Sequence, residues 1–487
     1  MGAIAALVDL TTSENVVPQT IQMMEALRHR GQDCFGIATA THNMTSSSTD
    51  ELKKTGFGSP VALGYNFERI LDKDVPQPVS SEQTSFVFEG RIHPSHDDSD
   101  VCHALGKLMA AKIDPLRFLR SLNGSFIFAF VHGNTFAIAR DPVGCRPLYE
   151  GKKDNFVGFA SEGKALRAIG FESISSLDPG QCVTFNKCTL VRHRPLIRSR
   201  KVADISLNVA TKELSRLLLR SLGDNIRDTS DIALAYSGGL DSGLLAASLK
   251  LMEKTPRLLH ITAREGDGYD HARQSAKELG LELTTWHVTE SEVVKAMPEV
   301  LFRTERPTPT QLAIALPAYF VSRLAERLGL PILLVGQGAD ELFGGYRRYL
   351  SILKETGKAA AANALRNDVL TCHGLNYERD EQATAGAHVE IRLPFADSHL
   401  VNFSLSLPLE YKISCKGGGE RKIVLRKVAE MHGAPPSIYT SPKKAVQYST
   451  GIDSLVRKLA RRANISLHDY IKALEPDSGY GRNSTSR

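Results

Sequence analysis

At 487 residues the chain is too long for one ordinary hydrophobic core, so two or three domains are expected. With 42% hydrophobic and 23% charged residues it reads as a globular protein, and no apolar run approaches the ~20 residues that a membrane-spanning helix needs. The formal charge of +6 is modest and no dense Lys/Arg stripe carries it, which argues against nucleic acid as a partner.

The chain opens MGAIAALVDL, which reads as a strand. It has neither the basic n-region nor the apolar h-region of a secretory signal, and Ala6 stands where a myristoylation motif needs Ser or Thr, so the cytoplasm is the expected compartment. Up to residue 195 short β-type runs dominate: AIAALV, SFVFEG, SFIFAFV, TFAIAR, FVGFAS and QCVTF, punctuated by Gly, Asn and Asp. Helical patterns interrupt them near Ile21–Arg28 and Val101–Met109. A layered, mainly antiparallel α+β domain over residues 1–195 is predicted. The seven cysteines are odd in number and form no CxxC pair, so neither a disulfide frame nor a zinc site is expected; Cys34 and Cys102 read as buried structural thiols.

After the basic stretch HRPLIRSRKVAD the pattern changes. Helices are predicted at Leu207–Leu222, Gly243–Met252, His271–Leu279 and Ala313–Leu328, alternating with strands at Ile232–Tyr236, Leu258–Thr262, Leu283–Val288 and Pro331–Val335. Such alternation predicts an α/β doubly wound parallel sheet with helices on both faces, over residues 205–465. Beyond Tyr349 the chain reads as mainly helical, and residues 466–487, ending DSGYGRNSTSR, as a polar, disordered tail.

Two loops carry chemistry. The first follows the strand ending at Tyr236: Ser237-Gly238-Gly239-Leu240-Asp241-Ser242. Glycines let backbone approach a phosphate, and the N–H groups of the following helix, with the two serine hydroxyls, can receive it. Asp241 suits a phosphate site only with Mg²⁺ between them. The loop lacks the GxxxxGK[ST] pattern of a Walker A motif. The second follows PILLV: Gly336-Gln337-Gly338-Ala339-Asp340-Glu341. Two strands of one parallel sheet would bring Asp241 and Asp340 to one edge, as a clamp for Mg²⁺ on a triphosphate. Taken singly, each loop reads equally as a capped, glycine-rich strand-to-helix turn.

Together these loops resemble the synthetase domain of asparagine synthetases and their relatives, the β-lactam synthetases. The likeness extends to HVEIRLPFADSHLVNFSLSLP and RKIVLRKVAEMHGAPPSIYTSPKKAVQYSTG and covers most of residues 205–455. It implies that Ser237, Gly238, Gly239, Asp241 and Ser242 hold the pyrophosphate part of ATP. It implies also that Asp241 and Asp340 bind Mg²⁺, and that backbone near Ala235, Ile261–Thr262 and Val335–Gly336 holds adenosine. Asp270 matches the family's acidic position after the second strand, and Glu390 and Arg392 are candidates for gripping the acyl substrate, with a structural ion pair as the alternative. Lys443 or Lys444 would neutralise charge at the reacting centre. Gln337 departs from the Glu that the family commonly has there and cannot act as a base; some archaeal-type members look similar at this point. Glu341 is close in sequence.

Residues 1–195 resemble class II (N-terminal nucleophile) glutamine amidotransferases through Arg28-His29-Arg30-Gly31-Gln32-Asp33, FEGRI, LNGSFIFAF, the run from Ala139 to Tyr149, and FASEGKAL. The family's nucleophilic Cys is replaced by Gly2, and its Asn-Gly-Glu turn by Glu89-Gly90-Arg91. Asp100 matches an acidic position. The resemblance implies a domain without glutaminase activity. The expected function is an ATP- and Mg²⁺-dependent amide ligase that adenylates aspartate and amidates it with ammonia, either free or delivered by a partner. A ligase acting on another carboxylate, as β-lactam synthetases do, and a non-catalytic scaffold are the alternatives. No membrane partner is expected, and a homodimer is left open.

Overall fold

The computed structural model describes residues 2–186, 188–193, 202–264, 266–416, 419–440 and 450–475. They fall into two compact units, one ending at 193 and one starting at 202.

The first unit is built from two antiparallel sheets. In the seven-stranded sheet the first strand, Gly2–Asp9, lies between Phe156–Ala160 and Val61–Phe67. Its residues are buried on both faces because alternate side chains enter different cores. Ala3, Ala5 and Leu7 face the helices Val17–Ala26 and Gly163–Ala168, while Ile4, Ala6 and Val8 face the second sheet. The six-stranded sheet repeats the device. Val87, Ile127 and Ala129 complete the inter-sheet core, and Phe86, Phe88, Phe126, Phe128 and Phe130 pack outward on the helices Asp100–Ala110 and Pro115–Ser121. Register pairs the phenylalanines across strands, Phe86 with Phe130 and Phe88 with Phe128. The unit is therefore a helix–sheet–sheet–helix stack, with the first helix beginning earlier than periodicity indicated because Pro18 opens it.

The second unit holds a five-stranded parallel sheet in the order Leu283–His287, Arg257–Thr262, Ile232–Ala235, Ile332–Leu334, Glu390–Arg392. The order reverses direction at the first strand in sequence, the arrangement in which right-handed crossovers carry helices to opposite faces. The helices are longer than predicted at their starts, at Leu240–Leu251, Asp267–Leu279 and Pro309–Arg327. A helix at Glu290–Thr304, nucleated by a Thr289–Glu292 capping box, was not legible because Pro298 interrupts its pattern.

The region beyond Tyr349 is mainly helical as expected, and it also supplies the fifth strand, Glu390–Arg392, and a short pairing of Ile413–Ser414 with Glu420–Arg421. The expected start of the tail needs correction. The tail does not begin at 466, where Ser466 caps a helix, Leu467–Ala473, that buries Ile471; residues from 476 lie outside those described. Among the described residues no helix is long and apolar enough to cross a membrane. All seven cysteines are free thiols, with Cys34 half-buried and Cys102 exposed rather than buried.

Candidate functional site

The strand Ile232–Ala235 lies in the middle of the parallel sheet, and its turn leaves at the carboxyl edge. Gly238 has φ +74°, and a Cβ there would stand 2.8 Å from the Ala272 Cα, so glycine is what allows helix Asp267–Leu279 to close on the turn. The Ser237 N–H donates to Ser242 Oγ at 3.2 Å, and the Gly239 N–H donates to Ser237 Oγ at 3.3 Å. Gly239 is the N-cap of helix Leu240–Leu251 and offers no side chain to its first N–H groups, an arrangement suited to an external anion.

Strand Ile332–Leu334 runs beside Ile232–Ala235 in parallel register, Ile232 with Ile332 and Leu234 with Leu334. Both turns therefore emerge at the same edge, and they touch: a Cβ on Gly336 would be 3.2 Å from Asp241 Cβ and 3.5 Å from Ser242 N. Gly338 has φ +94° and lies close to the Tyr377 hydroxyl. Asp340 lies in the first turn of the short helix Ala339–Phe343.

The two carboxylates converge on one cation. Lys422 Nζ is 2.5 Å and 2.7 Å from the oxygens of Asp241 and 2.5 Å from Asp340 Oδ1. The lysine side chain is 2% exposed and the aspartates 23% and 20%. Burial draws the Lys422 amine below its ordinary pKa, with Asp241 pulling the other way. Sequence reading missed Lys422, because RKIVLRK has the look of a basic helix face. A carboxylate pair that already gathers a cation, flanked by glycines, fits a hard ion such as Mg²⁺, which takes a few protein oxygens and completes its shell with phosphate and water. Among the described residues no cluster of three or more potential ligands forms an all-protein cage.

Glu341 is buried. Its Oε1 accepts from the Tyr346 hydroxyl and, at 2.6 Å, from Asn376 Nδ2, while Oε2 has no hydrogen-bond partner. Burial raises its pKa. Asn376 lies in a π-helical turn, His373–Tyr377. Gln337 is half-buried beside this loop.

The remaining candidates separate. Ala235, Ile261, Thr262 and Val335 end strands at the same edge, although the Val335 N–H donates to Arg392 O at 3.0 Å and Thr262 O accepts from Val288 N–H at 2.8 Å inside the sheet. Asp270 is exposed, 3.9 Å from Arg273. Glu390 and Arg392 are committed elsewhere: Arg392 donates twice to Asp228, at 2.6 and 3.1 Å, to Glu390 at 2.9 Å and to the Asn225 carbonyl at 2.5 Å. Their geometry is that of the structural ion pair and not of a substrate grip. Lys443 and Lys444 lie outside the described residues. The described residues on either side are anchored near the turn, since Ile438 packs where a Cβ on Gly243 would come within 2.5 Å, and Thr450 O accepts from Ala263 N–H at 2.7 Å.

In the first unit the altered residues are paired internally. Arg30 donates to Gly2 O at 3.1 Å, to Glu162 at 3.0 Å and to Glu89 at 2.9 Å, and Ser161 Oγ donates to Glu89 at 2.8 Å. His29 and Lys164 approach Glu162 at 2.9 and 2.5 Å. Burial works against the ionised Glu162, yet His29, Lys164 and Arg30 hold it well below its usual range. Arg91 pairs with Asp74 at 2.5 and 3.0 Å and with Asp100 at 3.2 Å. Burial opposes the charge on Asp74, but Arg91 brings its pKa down to about 2. A Cβ on Gly2 would lie 2.3 Å from Asn66 O and 2.6 Å from the Tyr65 hydroxyl, so no side chain fits there without rearrangement. Gly90 keeps φ +121° against the Ser125 carbonyl.

Comparison with known proteins matches residues 213–370 and 354–478 to the family model described as Asparagine synthase, and residues 73–168 to a glutamine amidotransferase domain. A candidate glutamine-hydrolysing asparagine synthetase of Methanocaldococcus jannaschii is 27% identical, over 92% of this chain and 93% of that one. The glutamine-hydrolysing asparagine synthetase B of Escherichia coli is 26% identical, over 89% of this chain and 79% of its own length. Asparagine synthetase 3 of Arabidopsis thaliana, also glutamine-hydrolysing by name, is 26% identical, over 85% and 72%.

Proposed function

Because this chain belongs to the asparagine synthase family, and is by that membership an ATP-dependent amide ligase, we propose that it adenylates aspartate and amidates the product with ammonia. The observation that carries the reading is the meeting of Asp241 and Asp340 beside two glycine-rich turns at one sheet edge. In it, the aspartate carboxylate attacks the α-phosphorus of ATP and pyrophosphate leaves. Ammonia then attacks the acyl carbon and AMP leaves.

The turn Ser237, Gly238, Gly239 and Ser242 cradles the phosphates with N–H and hydroxyl groups. Asp241 and Asp340 would hold Mg²⁺, which when bound supplies positive charge against the departing pyrophosphate. Backbone at Ala235, Ile261–Thr262 and Val335–Gly336 borders the adenosine. Lys443 or Lys444 offsets charge at the acyl centre, and Asp270 is assigned to binding the substrate. Gln337 cannot take the ammonium proton. Glu341 is the carboxylate for that work: its Oε2 is without a hydrogen bond, and a raised pKa is the direction a general base for an amine requires.

The relatives are named for glutamine hydrolysis, and that half of the name is not carried over. Gly2 supplies no nucleophile, and Glu89 and Arg91 already have partners within the chain. The same features, with Gln337, favour as a second reading a ligase that joins another carboxylate and amine. The deciding assay is pyrophosphate release with ATP and aspartate, run with ammonium and with glutamine in turn. Release with ammonium alone supports the reading. Robust glutamate formation overturns the ammonia assignment, and release only with other acids selects the second reading.

A further inference from the structure

Asp241 and Asp340 meet at the amine of Lys422, not merely near each other. Two carboxylates at such range repel unless a cation lies between them, and removing charge from water makes that demand stronger. The backbone is specialised to bring the lysine there. Lys422 has φ +58°, unusual for a side-chain-bearing residue, immediately after the short pairing of Ile413–Ser414 with Glu420–Arg421. Arg421 donates to the Gly345 carbonyl at 2.6 Å. A Cβ on Gly345 would stand 1.8 Å from Asp340 Oδ1 and 2.4 Å from Lys422 Cε, so this glycine is what admits the contact.

We propose that Lys422 is a built-in counter-ion that competes with the divalent metal for Asp241 and Asp340, so that metal enters the pair readily only together with the nucleotide phosphates. The ammonium and the metal need the same carboxylate oxygens, so one must yield to the other. Phosphate oxygens give the displaced ammonium a new anion and give the metal further ligands, which makes the exchange favourable with nucleotide and unfavourable without it. The proposal rests on reading the loops as an ATP site and adds to it an order of entry.

The test is Mn²⁺ binding to the full chain, followed by electron paramagnetic resonance, with and without ATP. Without nucleotide, the unmodified chain binds Mn²⁺ weakly, and Lys422→Met or Lys422→Gln tightens it at least about tenfold, because the binding-competent state no longer has to expel a cation. Equal affinities overturn the proposal. A second measurement needs no variant: amine labelling of the unmodified chain, with peptide mapping, shows Lys422 protected alone and labelled when Mn²⁺ saturates the pair. Unchanged labelling at saturation also overturns it. Pyrophosphate release by the unmodified chain tests the ligase reading separately, so a failure of either idea is recognisable by itself.

Discussion

The phosphate turn of the second unit and the Gly2 region of the first both gather acids and bases at the end of a central strand, and they treat them differently. In the second unit a single ammonium serves two part-exposed carboxylates, and the hydroxyls of Ser237 and Ser242 rest on each other at 3.2 Å. In the first, buried Glu89 has Arg30 and Ser161, Glu162 has Arg30, His29 and Lys164, and Asp74 and Asp100 share Arg91. A surface meant to receive a charged ligand keeps groups that can change partners. Where each charge is satisfied from within, as around Glu89 and Glu162, fewer groups are left to bind an incoming ligand.

The comparison can be broken at several points. Arg30→Met should be the most damaging change to the first unit, since it strips the guanidinium from two fully buried glutamates; a loss of about 3–5 kcal/mol is expected, measured by urea unfolding with hydrogen exchange along strand Gly2–Asp9. A loss below 1 kcal/mol would mean that the network is not a neutralising one. Asp241→Asn or Asp340→Asn should lower ATP-dependent pyrophosphate release by about 10²–10³-fold with little change in melting temperature. Asp74 sharpens the contrast through pH. Its folded pKa is depressed to about 2, so its contribution is complete above about pH 4 and is lost as pH falls through 2; it amounts to roughly 2.5 kcal/mol. Asp74→Asn should flatten acid unfolding in that window. Gly2→Cys should cost on the order of 2 kcal/mol in thermal or chemical unfolding and yield no glutaminase activity, because its Cβ meets Asn66 O and the Tyr65 hydroxyl. Glutamate release by that variant would show the pocket to be intact.

Much of the site was legible because its chemistry depends on local devices. Glycine, hydroxyl and acid immediately after an apolar strand point to a turn that meets an anion, and the strand–helix alternation supplied the shared edge. What stayed hidden depends on distant pairing. Lys422 sits in a stretch whose spacing suggests a solvated helix, and only the fold reveals it between two aspartates. Glu378, Arg379, Asp380 and Glu381 form a charged run that composition assigns to the surface; all are buried, with Arg306 on Glu378 and Arg379 on Asp380. The strand Glu390–Arg392 was missed for the same reason, since its two charges answer Asp228 and each other across the interior. In the first unit the sequence set Gly2, Glu89 and Arg91 apart from the pattern it resembles, but not the pairing of Glu89 with Arg30 and Ser161 or of Arg91 with Asp74.

The ordering of the parallel sheet has a consequence for the newborn chain. The first aspartate, the second aspartate and the lysine between them leave the ribosome in that sequence, and the fourth strand must dock beside the first before any two of them meet. A nascent chain halted ahead of Lys422 can hold the hydroxyl-lined turn and yet have two acids with no cation between them. Assembly of the complete centre, with its cation in place, is thus a late event of biosynthesis.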